Sequence, residues 1–90
     1  MSTESFIGVN KETVLSALQG SLKAKTWSAA RVKLMTTYAS MSTLAHNSTG
    51  KLYDRVTEAK AHARYAMESD LRNDFNAYVL RAYKILQEVN

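Results

Sequence analysis

Asp54, Glu58 and His62 stand at i, i+4 and i+8, a spacing that puts two carboxylates and an imidazole on one face of a helix. Such a trio could open a metal site of the carboxylate-bundle kind. That site needs matching Glu and Glu-x-x-His sets on facing helices. The rest of the chain supplies neither: its only other histidine is His46, and it has no cysteine. The trio reads as a solvated charge ladder, and no metal or cofactor is expected. "STGK", Ser48–Lys51, glances at a phosphate loop. It lacks the glycine five residues before Gly50, where Ala45 stands, and the hydroxyl after the lysine, where Leu52 stands. Serines and threonines abound, but no nucleophile elbow or paired base and acid singles one out. The roles an active site needs cannot be filled. The chain is not expected to be an enzyme, and no small-molecule substrate is evident.

Binding chemistry has better candidates. "KAKTWSAARVK" holds Lys23, Lys25, Arg31 and Lys33 with no acid among them, and with Trp27 in their midst. An exposed Trp could stack on a base while the cations meet phosphate, near a helix N-terminus whose amides favour anions. This segment predicts RNA or single-stranded nucleic-acid binding as the alternative function. The plain reading is that Trp27 belongs to the core and the lysines extend from a loop. A second group is aromatic. Of five tyrosines, Tyr38 and Tyr78 fall on apolar stripes, whereas Tyr53, Tyr65 and Tyr83 fall off them. Tyr65 follows Arg64, and Tyr83 lies between Arg81 and Lys84. Tyr with Arg is typical of binding hot spots, so Tyr65, Tyr83, Arg64 and Arg81 are the predicted partner-binding residues. The plain reading of the tyrosines is packing between helices.

These residues must be carried by helices. The chain has three glycines and no proline, and much Ala, Leu, Lys and Glu, so it leans helical. Asn10 reads as an N-cap, with Val9 and Val14 as a hydrophobic staple. A first helix follows over 11–22 with Val14, Leu15, Leu18 and Leu22 as its stripe, and Gly20 as its expected stop or weak point. Thr26 caps a second helix over 27–46, in which Trp27, Leu34, Tyr38, Met41 and Ala45 share one arc. From Leu34 to Gly50, 17 residues carry no Asp, Glu, Lys or Arg. Thr36, Ser40, Thr43 and Asn47 face away from the apolar arc. An uncharged hydroxyl face can lie against another helix without desolvating an ion, so the second helix is predicted to be central; the plain alternative is a solvated Ser/Thr surface.

Gly50 suits a turn. Beyond it, Leu52, Val56, Ala59, Ala63 and Ala66 line one helical face, and Leu71, Phe75, Tyr78, Ala82, Ile85 and Val89 another. The two stripes are offset by about 100°. Either the chain breaks near Ser69, which would cap a fourth helix, or one long C-terminal helix runs through. The break is the preferred reading, giving helices over 51–68 and 70–89. The small Ala59/Ala63/Ala66 face is the expected mate of Thr36, Ser40 and Thr43.

Ninety residues make one domain, here a tail over 1–9, docked through Phe6 and Ile7, and a helical unit over 10–90. Hydrophobic residues are 46%, enough for a core and too many for disorder. A chain this short buries only about 60–65% of its unfolded surface, so self-association is expected to add stability. The net charge of +4 is modest and unevenly placed: residues 1–33 hold five Lys/Arg against two Glu, and residues 51–90 seven basic against six acidic. It allows nucleic acid without requiring it. The opening "MSTESFIGVNKE" has no basic stretch followed by an apolar run, so no signal peptide is expected. No stretch is apolar enough to span a bilayer. With no cysteine, the chain suits a reducing compartment, and a cytoplasmic location is expected. No motif is specific enough to carry a family.

The sequence therefore predicts an all-α bundle of three or four helices. Its predicted function is non-enzymatic: an adaptor, inhibitor or assembly subunit acting through protein contacts, with a second copy of itself among its partners.

Overall fold

The computed structural model describes residues 9–89. Four helices follow one another: α1 (Lys11–Lys23), α2 (Trp27–His46), α3 (Gly50–Met67) and α4 (Arg72–Gln87). Connections of three, three and four residues leave each helix no choice but to fold back on the last. α1 packs on α2, α2 on α3, α3 on α4, and α4 returns to α1. The result is an up-down-up-down ring.

The ring closes through contacts that run in antiparallel order. Lys11 donates to the Val89 carbonyl, Gln19 Nε2 to the Tyr83 hydroxyl at 3.0 Å, and Arg72 to the Ala24 carbonyl at 2.7 Å. Each helix thus has two main neighbours, and α2 is no more central than the others. This corrects the expected hub. Hydroxyls explain why. Thr36, Thr37, Ser42 and Thr43 each donate to the carbonyl four residues back. Satisfied by their own helix, they need no partner helix. Only Thr37 is buried; Thr36 is exposed and Ser40 and Thr43 are half-exposed. They do not form the buried mate of the alanine stripe.

That stripe is nevertheless core. Val56, Ala59, Ala63 and Ala66 are fully buried, and so are Phe75, Val79, Ala82 and Leu86 of α4. On α4 the buried face differs from the predicted one. Val79 and Leu86 point inward, Tyr78 and Leu71 are exposed, and Ile85 is half-buried.

Helix ends follow side-chain chemistry at the N-termini of α1 and α2. Asn10 Oδ1 accepts from the Thr13 amide at 2.9 Å, and Thr26 Oγ1 from the Ala29 amide at 3.0 Å. Val9 packs half-buried against the core that contains Val14. The predicted docking of Phe6 and Ile7 lies outside the described residues. Gly20 does not stop α1, which continues to Lys23. The chain turns into α3 at Gly50, whose φ of 63° is the left-handed region glycine tolerates. There is no long C-terminal helix: α3 ends at Met67 and α4 starts at Arg72. Ser69 does not cap α4. Its hydroxyl donates back to Tyr65 O, and Leu71 occupies the cap position with no side-chain bond.

Candidate protein-binding face

α3 and α4 lie side by side, and an open groove runs along their outer surface. Tyr65 rises from α3 and Tyr78 from α4. Their ring centroids are 5.6 Å apart at a 58° tilt, and the edge of His62 meets Tyr65 at 5.7 Å. Tyr65 is 48% exposed, Tyr78 37% and Leu80 44%. Three aromatic rings from two helices thus make one surface feature without being covered. Arg81 and Asp74 border it, with Ala77 between them. Further along, the groove passes Leu80 and Lys84 to an ionic end where Arg55 meets Glu58 at 3.5 Å and Glu88 at 4.0 Å.

The four residues expected to bind a partner do not gather in one place. Tyr65 and Arg81 share this groove. Arg64 pairs with Glu68 at 3.5 Å and turns toward the α2–α3 side, near Tyr38 and Lys60. Tyr83 is half-buried against the core at the α1–α4 seam, where its hydroxyl accepts from Gln19. Sequence reasoning missed Tyr78, assigned to the core stripe, together with His62 and Leu80. The available signal was that Tyr78, Val79 and Leu80 are consecutive, so one of them had to face outward.

The basic segment is also divided. Lys23, Lys25, Arg31 and Lys33 are all exposed. Arg31 and Lys33 sit about 200° apart around α2. Lys33 turns toward the α1–α2 groove beside Ala17 and Gly20. Arg31 reaches the end of α3, where it donates to Met67 O at 3.4 Å. Trp27 is half-buried, with Phe75 edge-on at 4.9 Å and the Arg31 guanidinium 5.2 Å from its ring centre. Both partners use the indole within the fold, which leaves little ring for a nucleobase.

The Asp54–Glu58–His62 ladder is occupied differently from a ligand set. Glu58 faces Arg55, and His62 Nδ1 lies 3.1 Å from the Glu58 main-chain oxygen. Among the described residues no group of three His, Cys, Asp or Glu is spaced to hold a metal ion. Nor is any described helix long and apolar enough to cross a membrane.

No family model matches this chain, and no curated protein or solved structure is significantly similar to it.

Proposed function

We propose that this protein is a non-catalytic helical binding module that acts through protein contacts made by its α3–α4 face, in a reducing compartment such as the cytoplasm. One observation carries the reading: Tyr65 and Tyr78 meet outside the core, each more than a third exposed, beside exposed Arg81. Tyrosine supplies large contact area with few rotatable bonds, and its hydroxyl tolerates water while the site is empty. Arginine beside it adds directional hydrogen bonding. Such a cluster is what an adaptor, inhibitor or assembly subunit needs at the centre of an interface.

A second reading is nucleic-acid binding through Lys23, Lys25, Arg31 and Lys33 with Trp27. In its favour, none of the three lysines makes an ion pair among the described residues. Against it stands the engagement of Trp27 with Phe75 and Arg31.

A photo-crosslinking side chain separates the two. Placed at position 65 of the full chain and irradiated in extract of the native host, it should yield polypeptide adducts. Placed at position 25 it should yield none. Nucleotide adducts at position 25, with nothing at 65, would reverse the order of the readings. Binding to a mixed RNA pool that falls steeply with salt would point the same way.

A further inference from the structure

α4 carries its exposed charge in two blocks. Asp74 in its first turn, and Asp70 just before it, are acidic; Arg81 and Lys84 toward its end are basic. Asp74 and Arg81 are seven residues apart, two helical turns, so they share one face. Ala77 stands between them on that face and Tyr78 at its edge. All four charged residues are exposed. None makes an ion pair among the described residues, although Arg55, Arg64, Glu58, Glu68 and Glu88 all do. Arg72, at the acidic end, is half-buried and donates to the Ala24 carbonyl, and Glu88, just past the basic end, faces Arg55. The unpaired, exposed charge of α4 is therefore negative toward one end, positive toward the other, and absent between.

We infer that a second copy of this chain docks on that face, α4 against α4, antiparallel about a two-fold axis midway between Ala77 and Tyr78. Residues equidistant from that point come face to face. Asp74 meets Arg81 of the second copy, and Arg81 meets its Asp74. Asp70 falls within one residue of level with Lys84 of the second copy. At the axis, Ala77 is small enough to receive the Tyr78 ring of the other copy, again twice. An interface of this kind must be self-complementary, and a parallel arrangement would set acid on acid and base on base. Apolar contact at Tyr65, Ala77 and Tyr78 supplies the affinity. The charges select partner and orientation, which is the role exposed ion pairs fulfil best.

The inference rests on the α3–α4 reading and names the partner of that face. Its test is the mass of the full chain by sedimentation and light scattering across a dilution series. The unaltered protein should be a dimer that dissociates on dilution. Asp74→Arg and Arg81→Asp should each raise the dissociation constant by about tenfold or more, since each sets two like-charged contacts in the interface. The double variant Asp74→Arg/Arg81→Asp should regain the dimer. Mixing the two single variants should give a heterodimer, because one then carries only basic and the other only acidic residues at these positions. Heterodimer formation also shows that both variants are folded. A monomer at all concentrations, single variants that dimerise as well as the parent, or a double variant no better than the singles would each overturn the proposal. If it falls while position 65 still crosslinks to another protein, the binding face stands and only its partner changes. If the crosslinks fail too, both fall.

Discussion

Ser21, near the end of α1, donates its hydroxyl to the carbonyl oxygen of Ala30 in α2 at 2.9 Å, and both residues are fully buried. A hydroxyl in the core is tolerable only when it is bonded, and among the described residues no buried side-chain polar atom lacks a partner. This bond ties two helices beside the short Ala24–Thr26 connection. Ser21→Ala removes the donor and leaves a small void, with an expected cost of about 1 kcal/mol. Urea unfolding followed by Trp27 fluorescence measures it. An unchanged midpoint would mean the bond contributes nothing net.

Trp27 is the sole tryptophan, and its ring stands edge-on to the fully buried Phe75. Phe75→Leu keeps an apolar side chain but loses the ring contact and some volume. We expect a loss of about 1–2 kcal/mol, combining a partial cavity with the aromatic pair. The native emission of Trp27 should also move to longer wavelength as water reaches the face Phe75 covered. A loss of stability with no spectral change would place the effect elsewhere in the core.

Legibility from the sequence varied with the range of the interaction. Asn10 and Thr26 were readable because a cap joins a side chain to an amide three residues on. The break between α3 and α4 was readable from two apolar stripes that no straight helix could bury together. The phase of α4 was not. Tyr78, Val79 and Leu80 are all apolar enough to face inward, as are Ile85 and Leu86. Contact with α1 and α3 decides among them. The same decision put Tyr78 beside Tyr65, so the candidate site was hidden by the same ambiguity. The hydroxyl face of α2 misled for another reason. Lack of charge fits a covered face and a wet one equally, and the bonds of these hydroxyls to their own helix favour the wet one.

Ala59, Ala63 and Ala66 allow α3 to approach its neighbours closely, and all three are fully buried. Ala63→Leu inserts three heavy atoms where none fit, with an expected cost of about 1–3 kcal/mol or more. Ala39, exposed on α2, is the control. Ala39→Leu should change stability by no more than about 0.5 kcal/mol. Comparable effects at the two positions, by thermal and urea unfolding, would contradict the close-packed role of the stripe.

The four helices begin differently, and the difference is testable residue by residue. Asn10 and Thr26 each bond a first-turn amide, so Asn10→Ala and Thr26→Ala should each cost about 1 kcal/mol. Thr49 holds the same place before α3 but makes no side-chain cap bond, so Thr49→Ala should be close to neutral. Leu71 before α4 has extended cap geometry, φ −120° and ψ 139°, with an exposed side chain that cannot accept a bond. Leu71→Ser puts an acceptor at a cap position that makes no side-chain bond, and should raise stability by about 0.5–1 kcal/mol. A gain here with a loss at Thr26 would show that capping, not side-chain polarity in general, sets the sign. A loss at Leu71→Ser would instead show that this leucine stabilises the α3–α4 corner through apolar contact.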